Sequence, residues 1–378
     1  MRSRFAAIFI ASLLGFLAVG AVLPILPRFV KGPLDSSDLA VGIVVGAFAI
    51  AAVVTRPLAG RAADARGRRA VFTWGTLAVA LGGALYFVPG GIPSLLVARL
   101  ALGAGEGLIF TAGMAWVVDI SPEDRRGQII GIFGLSIWTG LSAGPAIGEG
   151  LFALAGYDAV WAFSVISPLL GALVARRIVD EHRGAVPDQR RSLLPRAALR
   201  PGMALALAAV GNAAVVSFIV LHLETRGGHG TVAFICFAVA VVGSRLLGSR
   251  MPDLFGARRS AALAALVEAI GLAIIALAGD WPVAALGAAF VGVGWSLLFP
   301  SLALMVVTDA GERRRAEALG TYTAFFDIGF GIGAPLCGAV ILIGGYPAAF
   351  WVGAGFAIAG GLMTLAGAPR VRGALARP

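Results

Sequence analysis

The sequence predicts an all-α membrane protein, with twelve transmembrane helices in two pseudo-symmetric six-helix bundles. Three observations carry this: an apolar composition, twelve runs of bilayer length, and a self-similarity at half the chain length. Of 378 residues, 59% are hydrophobic and 13% charged, and mean hydropathy is +0.91. Soluble domains carry about 25% charged residues, and one core cannot bury so much apolar surface, so a water-soluble fold is excluded. The 53 Gly and 19 Pro follow no triplet period, and Cys236 and Cys337 are too few to staple a disulfide scaffold.

A run of about 20 apolar residues crosses the hydrocarbon core as a helix, because lipid offers backbone N–H and C=O groups no partners. Such runs lie near 5–27, 39–60, 70–89, 92–118, 127–155, 159–179, 202–223, 231–249, 260–278, 282–308, 317–344 and 347–368. They are continuous rather than alternating, which favours helices over barrel strands. The first follows Arg2 and Arg4 as a signal peptide would, but it has no small-residue cleavage site and continues through Pro24 and Pro27, so it is read as helix 1.

The net charge of +10 is distributed by loop. With a cytoplasmic amino terminus, Arg61, Arg66, Arg68, Arg69, Arg125, Arg126, Arg258, Arg259 and Arg313–Arg315 fall in inner loops, with more arginines in 176–200 and the tail. The outer loops offer Arg28, Lys31 and Arg226. The positive-inside rule then puts both termini in the cytoplasm. The charge is topological, and the expected surroundings are lipid rather than nucleic acid.

Sliding the sequence against itself by 189 residues, half of 378, aligns Arg56 with Arg245, Asp64 with Asp253, Gly67 with Gly256, Gly131 with Gly320 and Tyr157 with Tyr346. The stretch 122–131 lies over 311–320 without a gap. Helices 2 to 6 map onto 8 to 12, whereas helix 1 maps onto 7 only with a shift. The expected units are an amino-terminal bundle over 1–179, a polar cytoplasmic linker over 180–201 and a carboxy-terminal bundle over 202–378. Parallel repeats of this kind meet at an interface where a site near the midplane can be exposed to alternate sides.

The loop between helices 2 and 3 reads Gly60-Arg-Ala-Ala-Asp64-Ala-Arg-Gly67-Arg68-Arg69. It resembles the loop signature of the major facilitator superfamily, except that Ala65 stands where a basic residue follows the Asp. The resemblance covers the whole chain and implies the major facilitator fold and solute transport. It also implies that Asp64 and Arg68, with Asp119 at the end of helix 4, gate conformational change. In helix 5, Gly140-Leu-Ser-Ala-Gly144-Pro145-Ala-Ile-Gly148-Glu149 resembles the motif of proton-coupled efflux branches, with Glu149 in place of its last Gly. Small residues four apart also let helices touch. Gly329-Phe-Gly-Ile-Gly333-Ala-Pro335 echoes the motif in the second half, shifted by one residue.

An ionised side chain at mid-bilayer costs at least ~3 kcal/mol, so it faces a cavity or a partner. Glu106 in helix 4 and Asp327 in helix 11 sit near the middles of their runs, and their equivalents after 189 residues are Trp295 and Trp138. Two carboxylates and two aromatic walls can build one cavity. Glu106, then Asp327, are the candidate proton-coupling sites, with holding helices together as the alternative. Arg99 lies seven residues before Glu106 and at the depth of Glu149, so an Arg99–Glu149 pair is expected. Asn212, Trp138 and Trp295 are candidate substrate contacts. Glu268, on an outer helix, is expected to have a structural partner, and His222 and Glu224 to form an interfacial cap.

The expected function is secondary active transport, as a monomer in a bacterial inner membrane: proton-coupled export of a small drug-like or sugar-like solute. A metabolite symporter or uniporter, and a lipid flippase, are the alternatives. No nucleophile and base converge, so no enzyme is expected. The histidines share no ligand spacing, so no metal is expected, and no cofactor is implied beyond the proton as coupling ion.

Overall fold

Every described element is an α-helix, as a lipid-immersed chain requires. The computed structural model describes residues 2–122, 126–178, 195–248, 251–310 and 315–366. In chain order the helices are α1 (Arg2–Val22), α2 (Ile25–Lys31), α3 (Asp38–Arg66), α4 (Arg68–Leu85), α5 (Gly91–Ile120), α6 (Arg126–Arg176), α7 (Arg196–Glu224), α8 (Gly230–Gly248), α9 (Met251–Phe255), α10 (Ala257–Leu277), α11 (Trp281–Ala310) and α12 (Arg315–Leu365). Ser37 caps α3 by accepting from the Ala40 N–H at 3.2 Å. Nine of the described helices are long and apolar enough to cross a bilayer. Two of them, α6 and α12, are 51 residues long and each bends once into two rods.

The bends show how the repeat is written into the backbone. α6 turns at Gly156 and α12 at Gly345, with φ of +70° and +68°. The α3–α4 and α9–α10 breaks fall at Gly67 and Gly256, with φ of +94° and +82°. Left-handed backbone favours glycine at these corners. Each pair is separated by the same 189 residues, as are the starts and ends of α6 and α12.

Within the first half α1 packs along α6, and α5 packs on α3 and α4; within the second, α7 packs along α12, and α11 on α8 and α10. The halves meet where α3 lies on α12 and where α8 meets α6. α7 is buried along nearly all of its length from Ala204 to Leu223. Leu81, Leu170, Leu266, Leu286 and Leu362 face outward, as lipid-contacting side chains do.

The expected linker is shorter than 180–201 at its far end. α7 begins at Arg196, and Arg200 anchors it by donating from Nε and Nη2 to the Met363 carbonyl at 3.0 and 2.8 Å. Pro195 stands at the N-cap, where its missing N–H costs nothing, and Pro201 lies inside α7. Residues 179–194, the 123–125 and 311–314 parts of the aligned stretches, and the basic tail from 367 lie outside the described residues.

The α3–α12 seam is the tighter junction. A Cβ on Gly42 would stand 2.3 Å from the Ala334 carbonyl oxygen, one on Gly46 2.7 Å from that of Gly331, and one on Gly338 2.5 Å from that of Asp38. The equivalents of Gly42 and Gly46 on α8 are Thr231 and Ile235. Bulkier side chains hold the α8–α6 seam wider.

Candidate functional site

Two arginines, equivalent under the repeat, each reach from one half to the other. Arg56 on α3 donates from Nε to Asp327 Oδ2 at 2.7 Å and from Nη2 to Asp327 Oδ1 at 3.3 Å. The same Nη2 lies 3.1 and 3.3 Å from the carboxylate oxygens of Glu106 on α5. The guanidinium stands 4.5 Å over the Phe110 ring. Glu106 is 6% exposed and Asp327 2%. One guanidinium faces two carboxylates, so full ionisation leaves one surplus negative charge, and a single bound proton cancels it.

Arg245 on α8 repeats the reach with different partners. Its guanidinium lies 4.3 Å over Trp138 on α6, and it donates to the Ser296 carbonyl at 3.1 Å and to Ser296 Oγ at 3.5 Å. Trp138 packs edge-on against Phe299 at 5.6 Å, and Phe299 is the equivalent of Phe110. Trp295, the equivalent of Glu106, is buried against Phe326 at 5.3 Å. Equivalent positions therefore hold two carboxylates on Arg56 and, in the other half, one indole on Arg245 and a second packed on Phe326.

Arg99 and Glu149 do not pair. Arg99 is 1% exposed and turns to α3, donating to the Val44 and Val45 carbonyls at 3.3 and 3.0 Å with Phe48 beneath it at 4.8 Å. Glu149 instead accepts from Arg28 Nη1 at 2.8 Å. Equal depth on neighbouring helices does not give a common face. Glu149 stands where Gly338 stands in the other half, on the wider seam, and Arg28 fills the added space. Arg28 also binds Glu224 at 2.5 Å and Thr231 at 2.8 Å, tying the halves together. Tyr346 donates to Asp38 at 2.9 Å as a second tie. A cavity of about 650 Å³ lined by Arg28, Lys31, Glu149, Phe152, Tyr157 and Glu224 lies at this end.

At the opposite end Arg68 binds Asp64 at 2.5 Å and Asp119 at 2.9 Å, so the three expected gating residues form one cluster. Gly140, Gly144 and Gly148, with Pro145 between them, seat α6 on α1. Their Cβ positions would fall 2.5 Å from Phe16, 2.7 Å from Gly20 and 2.0 Å from Ala21. Asn212 is buried on α7 and makes no hydrogen bond to Arg56 or Arg245. His222 is not an interfacial cap: it is buried between the Tyr346 and Phe350 rings at 5.8 and 5.3 Å.

Glu268 lacks the partner expected of it. It is fully buried, and neither carboxyl oxygen has a hydrogen-bond partner among the described residues. The neighbouring surfaces of α7 and α11 present Gly211 and Gly294 there. An unsatisfied buried polar group costs about 1–3 kcal/mol, so Glu268→Met should raise the apparent Tm in detergent and leave transport rates unchanged; a lower Tm would show an unrecognised stabilising role. Among the described residues no His, Cys, Asp or Glu cluster is arranged to hold a metal ion.

In the sequence Arg56 and Arg245 stand out only as markers of the repeat, and Arg28 only as a loop charge. The signal was present, since an arginine inside each of two equivalent apolar runs is itself an intramembrane charge.

The sequence matches the profile of the Major Facilitator Superfamily over residues 8–234 and again over 203–377. The chain belongs to that superfamily. It is therefore a secondary transporter of small molecules and a multi-pass membrane protein, not an enzyme. It is 32% identical over 367 residues to an uncharacterized MFS-type transporter of Salmonella typhimurium, covering 93% of this chain and 92% of that one. In fold the transporter resembles the peptide transporter POT, with a TM-score of 0.80 at 15% identity over 96% of this chain and 93% of that one. The crystal structure of a D-xylose–proton symporter matches with a TM-score of 0.79 at 14% identity over 96% of each chain. These two likenesses carry the fold alone.

Proposed function

We propose that the transporter couples movement of a small organic solute to protons by alternating access, with Arg56, Glu106 and Asp327 as the coupling site. The carrying observation is the surplus carboxylate on one buried guanidinium, with Asp327 contributed by the second half. A proton bound there changes the hold of Arg56 on the other half, which links protonation to the relative movement of the two units. The units are the helices before the 180–194 stretch and those from Arg196 onward. Trp138, Asn212 and Trp295 line the solute path, and the Asp64–Arg68–Asp119 cluster latches the end opposite Arg28.

Export in exchange for protons is the first reading of direction, supported by the Gly140–Gly148 pattern on α6. The arginine distribution supports a bacterial inner membrane with both termini in the cytoplasm, and self-contained halves support a functional monomer. Cotransport with protons is a second reading, favoured by Arg245, a cation without a carboxylate partner among the described residues.

The test is reconstitution in vesicles with an imposed pH gradient, a panel of solutes and an internal pH dye. Glu106→Gln and Asp327→Asn should each abolish uphill transport while leaving downhill exchange measurable. Uphill transport by both variants would remove the triad from the coupling role.

A further inference from the structure

We propose that Arg245, held in place by Ser296 and set over Trp138, forms the subsite for the charged group of the substrate, a small organic anion with an apolar body. The proposal rests on the reading of the Arg56 triad as the proton site. Its ground is a difference between two otherwise matched places. Arg56 and Arg245 are equivalent, and both reach across the interface, but only Arg56 meets acids there. Asp327 and Glu106 correspond to Trp138 and Trp295, so the second arginine keeps its full charge without a counter-ion among the described residues.

The geometry around Arg245 leaves it able to take an anion. The guanidinium carbon lies 4.3 Å over the Trp138 ring, a cation–π contact that uses none of its N–H donors. Nε and Nη2 turn toward Ser296, while Nη1 has no hydrogen-bond partner among the described residues. The walls are aromatic: Trp138 packs on Phe299 at 5.6 Å and Phe299 on Tyr322 at 5.1 Å. Tyr322 donates its hydroxyl to the Phe299 carbonyl at 2.7 Å, so its ring rather than its polar end is offered. A cation beside stacked rings fits a carboxylate or sulfonate carried on an apolar body.

The charges of the two sites are complementary. With neither ligand, the positive charge of Arg245 and the surplus negative charge of the triad sum to zero across the interface. An anion and a proton bound together also sum to zero. Either one alone leaves a unit charge in a poorly solvated interface, which is costly. Anion and proton therefore load together, which makes the transporter a cotransporter, the second reading above, rather than an exchanger.

Equilibrium binding of radiolabelled benzoate and benzenesulfonate to the purified transporter, each competed by its own acid and by the uncharged amide, tests this. The anions should bind and the amides should compete at least about 30-fold more weakly, since removing one partner of a desolvated charge pair costs 2 kcal/mol or more and each 1.4 kcal/mol is tenfold. Arg245→Gln should lose the anions by a similar factor, and Arg245→Lys should keep them within about tenfold. If Arg245→Gln fails to fold, the acid-against-amide comparison on the unaltered protein decides. Equal competition by acid and amide, no binding of either anion, or unaltered affinity in a folded Arg245→Gln overturns the proposal and leaves the triad untouched. Arg245-dependent benzoate uptake in vesicles without proton movement would keep the subsite and remove the triad as the coupling site.

Discussion

Replacing Arg56 by Ala should destabilise the protein by about 3–5 kcal/mol, the cost of stranding a buried ionic partner, and should end uphill transport. The variant leaves Glu106 and Asp327, both buried, facing the gap left by the guanidinium that joined them. Adding Glu106→Gln and Asp327→Asn to Arg56→Ala should restore most of the apparent Tm, because the triple variant buries no net charge. It should not restore coupling. Arg56→Lys keeps the charge but loses the fork that spans both acids, so it should retain more stability than Ala and transport poorly. A single Arg56→Ala variant as stable as the original would mean that the three side chains do not act as one charge unit.

Valine at Gly42 should shift the resting conformation. The added Cβ would stand 2.3 Å from the Ala334 carbonyl oxygen, and that atom belongs to a rigid backbone. Overpacking of this kind costs about 1–3 kcal/mol, enough to change a two-state ratio by about 5- to 150-fold. The penalty applies only while α3 and α12 touch, so it should favour the state in which the Arg28 end is parted. A cysteine at Leu39, in a Cys236→Ser, Cys337→Ser background, should react faster with a water-soluble maleimide once Gly42→Val is added, and turnover should fall at least about tenfold. Gly42→Ala should do the same to a smaller degree. Unchanged labelling would show that this seam does not open during transport.

Much of the architecture was legible because it depends on chain-local properties. Apolar run length gave the helices, and the 189-residue register pointed in advance to Gly67 with Gly256 and Tyr157 with Tyr346, where the backbone turns at or beside both. The acid–tryptophan exchange between Glu106, Asp327, Trp295 and Trp138 was likewise readable. What each of them touches was not. Depth along a helix follows from counting residues at a fixed rise, but rotation about the axis relative to a neighbour depends on packing. Arg99 and Glu149 share depth and face different helices for that reason. Glu268 failed differently: a buried acid normally signals a partner, and here the adjoining helices offer glycines. Long side chains add a further obstacle, since Arg28 and Arg56 act several ångströms from their own Cα atoms.

The leading helices of the two halves are built unequally. α1 and α2 are interrupted at Leu23–Pro24, whereas α7 runs unbroken for 29 residues inside the second half. Under the proposed alternating access the first half thus has an elbow at Pro24, four residues before Arg28, for which α7 offers the second half no counterpart.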